Sequence, residues 1–268
     1  MTGNEGLQMK QGRGWSRGLD SMMRLEMDKW FGTRRWWVQI LVWLAAVDSV
    51  LFLVMLIAGT EGDELPPPDL LSMYTIFGGL SVAIGVCIIM QGAVVGELSS
   101  GTAAWLLSKP ITRASFLTAK LLGNALALTF TAVLVPGLAA YAAISLWAAP
   151  SPPFGSFLLG MAVLDLSMLY WLALTLMLGT LFRSRGPVIG IPLVLLLGAQ
   201  IILGVAPWMV NIIPYRLALP FGEEEALSVA QAVINGSSPE SWQPVYVAAL
   251  MALVFVGVAI FRFRREEL

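Results

Sequence analysis

Two carboxylates lie inside long apolar segments of this chain, Asp48 and Asp165. An ionised carboxylate in hydrocarbon costs roughly a few kcal/mol, so neither side chain should face lipid. One interpretation is that one or both carboxylates line a translocation path or bind a cation. The alternative is a protonated or hydrogen-bonded contact between packed helices. We expect such a contact for Asp165, and for Asp48 we keep both interpretations open.

Most other chemistry is excluded by residues that the chain lacks. It contains no histidine, which rules out Ser-His catalysis, histidine-ligated haem and zincin-type metal sites. The single cysteine, Cys87, can form neither an intrachain disulfide nor a thiolate cluster. No G-x-x-x-x-G-K-[ST] motif occurs, so the chain should not hydrolyse nucleotide by itself. We therefore expect a chain that is not an enzyme on its own, with no cofactor, metal or nucleic acid bound to it.

A membrane-embedded enzyme is nevertheless one alternative function. An aspartyl intramembrane protease would use a pair of aspartates such as Asp48 and Asp165. Neither of them stands in a Tyr-Asp or Gly-x-Gly-Asp context, and the local sequences therefore disfavour this function.

The elements that hold these residues are membrane helices. The chain has 268 residues, of which 57% are hydrophobic and only 12% charged, and its mean hydropathy is +0.79. A soluble domain carries roughly a quarter charged residues. Six apolar segments reach or approach the roughly 20 residues that cross a bilayer as a helix. We place these spans at about 36–59, 72–95, 116–147, 157–182, 188–206 and 244–261. The predicted fold is an all-α integral membrane protein in which residues 36–268 form one six-span domain without an internal repeat.

Basic residues are distributed very unevenly over the loops. Fifteen of the sixteen Lys and Arg residues fall on one side of the predicted membrane, and only Arg216 falls on the other. The positive-inside rule places that basic side, which includes both termini, in the cytoplasm. The even number of spans agrees with this orientation.

The regions outside the spans contain three predicted features. Residues 1–35 should form a cytoplasmic tail followed by an amphipathic helix, Leu19–Phe31, that lies in the membrane interface. The apolar face of this helix is formed by Leu19, Met22, Met23, Met27 and Trp30. Between the last two spans, an extracytoplasmic loop from Pro207 to Gln243 should contain a helix from Glu223 to Asn235 and should fold onto the outer membrane surface or dip partway back.

A short polar segment between the second and third spans, residues 96–120, has a distinctive pattern. Leu98 to Ser108 can form an amphipathic helix with Leu98, Trp105 and Leu106 on its hydrophobic side. The Lys109-Pro110 pair should end this helix, because proline disfavours helical geometry at the residue before it. Two cations, Arg113 and Lys120, should anchor the start of the third span at the membrane surface.

This segment resembles the membrane subunits of ABC-2 type transporters. The resemblance is carried by Glu97, by Gly101-Thr102, by the run Leu106-Leu107-Ser108-Lys109-Pro110-Ile111-Thr112-Arg113, and by Ala119-Lys120, where the family usually has glycine before the lysine. The basic helix before the first span, the six spans and the large outer loop extend it over most of the chain.

The resemblance implies a permease that works with a separate ATP-binding subunit, which carries the ATP and Mg²⁺. Leu98 to Lys109 would be the coupling helix that docks on that subunit. The coupling residues would be Glu97, Leu98, Gly101, Thr102, Trp105, Leu106, Lys109, Pro110 and Arg113. Two permeases, as a homodimer or a heterodimer, would assemble with two ATPase subunits in a plasma membrane, in contact with lipid, and the usual direction is export.

A self-contained channel or secondary transporter is a further alternative. The missing internal repeat and the scarcity of charge in the spans count against it. The same scarcity favours a hydrophobic or amphipathic cargo, such as a lipid, drug or peptide.

Overall fold

The structure is a computed structural model that describes residue 14 and residues 16–62, 65–147, 150–220 and 227–266. Every secondary-structure element in these ranges is helical. The predicted cytoplasmic tail, residues 1–18, lies almost wholly outside the described residues. The helices are α1 (Leu19–Phe31), α2 (Arg35–Glu61), α3 (Pro67–Ser99), α4 (Thr102–Leu107), α5 (Arg113–Trp147), α6 (Phe154–Leu181), α7 (Arg185–Leu197), α8 (Ala199–Val205), α9 (Tyr215–Ala218), α10 (Val229–Ile234) and α11 (Gln243–Arg264).

Five of these helices, α2, α3, α5, α6 and α11, are long and apolar enough to cross a membrane. They correspond to predicted spans one to four and span six. The predicted fifth span, 188–206, is not one helix in the structure. It is divided at Gly198 between α7 and α8, because glycine has low helix propensity and allows the chain to leave helical geometry. The chain is therefore an all-helical, multi-pass membrane protein.

Two of the spans contain a π-helical turn. In α2 the turn comprises Leu44–Asp48, and in α5 it comprises Thr129–Leu134. Such turns insert one extra residue into a helix and often occur at functional sites. The hydroxyl of Ser81 on α3 donates a hydrogen bond to the carbonyl oxygen of Ala46 in the first turn, at 3.2 Å.

Glycines on α3 allow its neighbours to approach closely. A methyl group added at Gly85 would lie 2.2 Å from the Trp43 ring of α2, and one added at Gly79 would lie 2.3 Å from Cβ of Ala218. Small residues permit this kind of close packing between membrane helices. These glycines serve packing within one chain.

The segment between α8 and α11 folds back into the helix bundle. Ala218 of α9 contacts Gly79, which lies about 18 Å along α3 from Pro67 at 1.5 Å per residue. Ile234 of α10 occupies the space beside Gly160 on α6. Two arrangements were expected, a loop on the outer membrane surface or a loop that dips partway back, and these contacts with α3 and α6 agree with the second.

The predicted loop helix from Glu223 to Asn235 is wrong at residues 227 and 228, the first of its residues that the structure describes. Residues 227 and 228 are not helical, and α10 begins at Val229. Ser228 caps this helix: its hydroxyl accepts from the Gln231 N–H, and the Gln231 side chain accepts from the Ser228 N–H. This capping box fixes the N-terminus. The three glutamates at 223–225 lie outside the described residues.

The contact between Gly79 and Ala218 yields a first prediction. Gly79→Ala should destabilise the protein by about 1–3 kcal/mol, because the new methyl group collides with a Cβ that cannot rotate away. The double variant Gly79→Ala/Ala218→Gly should recover most of the loss. The measurement is the thermal unfolding midpoint in detergent.

The matched control is Gly257→Ala on α11, where an added methyl group meets nothing within 4 Å. It should be neutral or slightly stabilising, since alanine favours helix over glycine by up to about 1 kcal/mol. Equal midpoints for Gly79→Ala and Gly257→Ala would contradict the close packing of α9 on α3.

Candidate functional site

The polar segment between the second and third spans is divided into two short helical pieces. Residues 95–99 form the last turn of α3, and α4 follows as a separate helix. The single helix predicted from Leu98 to Ser108 is wrong, because Gly101 adopts a left-handed conformation with φ of 71° and only glycine does so at no steric cost. The predicted end is confirmed: α4 stops at Leu107, directly before Ser108 and the Lys109-Pro110 pair.

Short helix α4 has one buried face and one exposed face. Ala103 and Leu106 are buried against the bundle, whereas the Trp105 side chain is 61% exposed. The predicted grouping of Leu98, Trp105 and Leu106 on one side is therefore wrong, because adjacent helical residues point about 100° apart. Trp105 points outward, and the Lys109 Nζ lies 3.7 Å from its ring centroid.

The remaining predicted residues of the segment surround this exposed face. Gly101, Thr102 and Pro110 are exposed, and Leu98 is partly buried against the core. The Thr102 and Ser100 hydroxyl oxygens are 2.8 Å apart. An open groove runs beside α4 and is lined by Ala104, Leu107, Ser108, Ile111 and Arg113. The end of the bundle thus presents an aromatic side chain, a groove and two cations together.

Next to α4 in the chain, the last turn of α3 takes part in a cluster of four charged side chains, two acidic and two basic. The Lys120 Nζ is 2.6 Å from the Glu97 Oε1 and 3.2 Å from the Glu26 Oε1. The Lys29 Nζ is 2.8 Å from the Glu26 Oε1 and 3.0 Å from the Glu97 Oε1. Three elements therefore meet at one point: α1, the end of α3 and the start of α5. We call these four residues the charge cluster.

Two further contacts hold α1 on α5. The Trp30 indole N–H donates to the Asn124 side-chain oxygen at 3.0 Å, and the Asn124 amide donates to the Lys120 carbonyl oxygen at 2.7 Å. Gly123 gives the room for this approach, since an added methyl group there would lie 2.7 Å from Cβ of Glu26. The apolar face of α1 is thus covered by protein, with Met22 and Trp30 each 1% exposed.

Sequence reasoning missed Glu26, the carboxylate at the centre of this contact. The available signal was its position four residues after Met22 and four before Trp30, on the face that was expected to be apolar. A single acid in an apolar stripe indicates a buried cation on the partner helix, and here that cation is Lys120.

The charge cluster shifts the pKa values of its two residues on α1, Glu26 and Lys29. Burial alone would raise the pKa of the Glu26 carboxyl, but the charges and hydrogen bonds of Lys120 and Lys29 outweigh it and lower that pKa. Burial alone would lower the pKa of the Lys29 ammonium, but Glu26 and Glu97 raise it. Both groups are therefore charged across the neutral range.

These shifts predict how the α1 contact depends on pH. The folded pKa of Glu26 is below its ordinary 4.5, so its contribution is fully present above pH 4.5 and is lost as the pH falls through the lower folded value. The difference in unfolding midpoint between the wild type and Glu26→Gln should therefore be constant near neutral pH and shrink at acidic pH.

Asp28→Asn is the control for this measurement, because Asp28 is an exposed acid on the same helix. Its midpoint should follow that of the wild type at every pH. A wild-type advantage over Glu26→Gln that persists unchanged far below pH 4.5 would show that the carboxylate charge does not hold α1.

Arg113 contacts the last helix. Its guanidinium donates to the carbonyl oxygen of Arg264 at 2.9 Å and also to that of Glu266. Phe116, one turn further along α5, stacks on Phe263 with ring centroids 5.3 Å apart. Arg113 therefore satisfies carbonyls at the C-terminus of α11, where a cation also complements the helix dipole. It was predicted to anchor the third span and to belong to the coupling residues, and the contact with α11 had no signal in the sequence.

The two intramembrane aspartates have different surroundings. The Asp165 Oδ1 accepts a hydrogen bond from the Thr129 hydroxyl at 2.8 Å, which is the kind of packing contact expected for it. Asp48 is fully buried, and neither of its oxygens has a hydrogen-bond partner among the described residues. The carboxylates of an aspartyl protease share one proton, whereas Asp48 and Asp165 are not hydrogen-bonded to each other.

A family comparison agrees with this architecture. The sequence profile of the family described as "ABC-2 family transporter protein" matches residues 38–268. No curated protein sequence matches the chain. The match covers all five membrane-length helices almost completely, together with the segment that contains α4. Members of this family are membrane components of transport systems, are not enzymes themselves and normally work with an ATP-binding subunit. The chain therefore belongs to the ABC-2 transporter family, as a multi-pass transport permease.

Proposed function

We propose that this chain is the permease subunit of an ATP-driven exporter and that it receives its driving force through residues 97–113. The observation that carries this proposal is the exposed Trp105 on α4, in the same short segment as Glu97 of the charge cluster. A large aromatic side chain on a short helix outside the membrane helices is expected to be covered by a partner, since tryptophan is among the residues that contribute most to interfaces.

The charge cluster supplies the mechanical link behind this surface. A displacement of α4 moves the last turn of α3, which carries Glu97. Glu97 holds Lys120 on α5 at 2.6 Å and Lys29 on α1 at 3.0 Å. Charge-assisted hydrogen bonds of this length are short and strong. A push on Trp105 is therefore passed to the third span and to α1 together.

Arg113 extends this link to the opposite end of the chain. Its bonds to the carbonyls of Arg264 and Glu266 connect the start of α5 with the end of α11. Glu266 also forms an ion pair with Arg183, in the turn between α6 and α7. One end of the bundle thus joins α1, α4, α5 and α11, and this is the end at which a soluble motor would act.

The arrangement supports the following assembly. The basic residues Arg113, Arg183 and Arg264 cluster at the end that carries α4, which supports a cytoplasmic location of that end and of both termini. We propose that α7 and α8 together make the sixth crossing required by this orientation. A second permease, identical or related, and two ATP-binding subunits with ATP and Mg²⁺ complete the exporter in the plasma membrane of a prokaryotic cell. The lipid-facing apolar surface includes Ile201, Val205 and Leu253.

The cargo is expected to be hydrophobic or amphipathic, because the described spans carry very few polar side chains. An export assay with a fluorescent lipid or drug would test this class. Movement of small hydrophilic ions alone would contradict it.

The test of the proposed function is purification in mild detergent of the chain together with the products of its neighbouring genes. A soluble ATPase should co-purify in equal numbers with the permease, and its ATP hydrolysis should change on reconstitution with the permease. If a complete transport activity is reconstituted from the permease alone, the chain is a self-contained transporter and the proposal is wrong.

A further inference from the structure

The carboxylate of Asp48 lies about midway along α2, in the interior of the helix bundle. It is fully buried, and in the part of the chain that the structure describes neither oxygen accepts a hydrogen bond. An ionised carboxylate is too costly to bury without a partner, so the charge must be neutralised or paired. The question is therefore which positive charge accompanies Asp48.

In the part of the chain that the structure describes, no Lys or Arg side chain pairs with Asp48. The sequence contains no histidine, and no Lys or Arg occurs between residues 36 and 108 or between residues 121 and 182. The buried Lys120 is already held by Glu97 and Glu26 at the end of the bundle. Arg216 is paired with Glu240 at 2.8 Å. A second permease subunit cannot reach Asp48 either, because the side chain is fully enclosed within its own chain.

Two other side chains of α2 also carry buried polar atoms without partners among the described residues. The Trp43 indole nitrogen and the Gln39 side-chain oxygen are buried and have no hydrogen-bond partner among the described residues. Gln39 and Trp43 are four residues apart and therefore lie on one face of α2. Asp48 follows Trp43 by five residues, and the extra residue of the π-helical turn Leu44–Asp48 brings it onto the same face. The three polar groups therefore follow one stripe of α2.

A small cavity lies beside Val47, the residue directly before Asp48. It has room for about one water molecule and is lined by residues of four spans, among them Val47, Tyr74, Gly78 and Ala132. The helices packed against the π-helical turn are α3 and the second half of α5. The Tyr74 phenol on α3 lines the cavity, whereas the Tyr141 hydroxyl on α5 donates to the Pro152 carbonyl oxygen at 3.2 Å. An alkylammonium group of a cargo molecule does not fit into a space of this size.

We propose that Asp48 binds one small cation, a proton or an alkali-metal ion, inside the membrane domain. The bound charge neutralises the carboxylate. A water molecule in the cavity beside Val47, which the Tyr74 phenol helps to line, can supply a polar contact to the bound cation. This site is separate from the contact surface around Trp105, and the proposal does not depend on the identity of the soluble partner.

The test uses the full-length permease in detergent. Its thermal unfolding midpoint is measured as the pH is raised, and at fixed pH with NaCl or KCl against choline chloride at equal ionic strength. A ligand that binds only the folded state stabilises it by mass action. If the cation is a proton, the wild-type midpoint falls by several degrees as the pH rises and does not respond to Na⁺ or K⁺. If it is a metal ion, the midpoint rises with Na⁺ or K⁺ and not with choline.

The side chain of the Asp48→Asn variant is neutral and needs no bound cation. The unfolding midpoint of this variant should therefore lose the response to pH, for a proton site, or to Na⁺ and K⁺, for a metal site. Asp165→Asn is the matched control, because Asp165 is a second membrane carboxylate that accepts a hydrogen bond from Thr129. It should respond as the wild type does. Identical responses of the wild type and Asp48→Asn to both pH and cations would overturn the proposal.

A second readout keeps the test valid if Asp48→Asn fails to fold. Dicyclohexylcarbodiimide modifies protonated carboxyl groups in apolar surroundings, and mass spectrometry locates the modified residue. In the wild type, modification of Asp48 should decrease with rising pH for a proton site, or be prevented by Na⁺ or K⁺ for a metal site. Modification of Asp48 that neither pH nor cations alter would overturn the proposal.

Discussion

Lys120→Met should lower the unfolding midpoint of the permease by roughly 6–20 °C. Lys120 lies near the start of the third span and is 2% exposed. Its ammonium group contacts both Glu26 and Glu97. Removing one partner of a buried ion pair leaves an uncompensated charge and costs about 3–5 kcal/mol, and each kcal/mol shifts the midpoint by about 2–4 °C at this chain length. The measurement is thermal unfolding in detergent, followed by circular dichroism.

Lys109→Met is the matched control, because Lys109 is an exposed lysine on the same polar segment. Surface substitutions usually change stability by no more than about 0.5 kcal/mol, so its midpoint should stay close to that of the wild type. The double variant Lys120→Met/Glu26→Gln should recover part of the loss, since it removes one of the stranded carboxylates. Equal midpoints for Lys120→Met and Lys109→Met would show that the charge cluster does not hold α1 and α5 together.

Trp105→Glu should abolish coupling to the ATP-binding subunit without unfolding the permease. The side chain is 61% exposed, so its replacement disturbs little of the bundle. Loss of a central tryptophan from an interface costs about 2 kcal/mol or more, which weakens binding roughly 30-fold, and the new carboxylate adds a desolvation cost. Permease-dependent ATP hydrolysis and transport should both fall by at least about that factor, while the unfolding midpoint is unchanged.

Trp242→Glu is the control for this experiment. Trp242 is 46% exposed and lies directly before α11, at the end of that helix opposite to the Arg113 contact. The substitution is chemically identical but lies away from the proposed contact surface, so ATP hydrolysis should be retained. If Trp242→Glu and Trp105→Glu reduce coupling equally, α4 is not the specific point of contact.

Much of the fold could be predicted from the sequence because the signals are strong and local. Twenty or more consecutive apolar residues have few alternatives to a membrane helix, and five of the predicted spans correspond to helices of the required length. Lys109-Pro110 ended α4 as expected, because the effect of proline on the preceding residue is a local steric one.

The errors arose where one residue overrides the local pattern. Gly101 breaks the helix that the apolar spacing predicted, and Gly198 divides the predicted fifth span. At Ser228 a capping box sets the helix start, although the acidic residues before it favoured an earlier one. In each case a backbone preference of glycine or a hydrogen bond of a cap outweighed the hydrophobic period.

The candidate site was only partly predictable for a different reason. Glu97, Trp105 and Lys120 stand in one short segment, and the sequence pattern brings them together. Glu26, which also contacts Lys120, is 94 residues before that lysine in the chain. The contact of Arg113 with the end of α11 spans 151 residues. Such contacts depend on how the helices pack, which no local pattern specifies. That Asp48 has no hydrogen-bond partner among the described residues likewise became visible only when the residues around it were in place.

The most direct test of the coupling surface is site-specific photo-crosslinking in the assembled transporter. A benzophenone amino acid replaces Trp105 in one variant and Trp242 in another, and both are irradiated in membranes that contain the ATP-binding subunit. Coupling through α4 predicts a crosslink between permease and ATPase from position 105, which changes in yield when ATP is bound, and none from position 242. A complex that forms and hydrolyses ATP but gives no crosslink from position 105 would contradict the assignment of residues 97–113 as the coupling element.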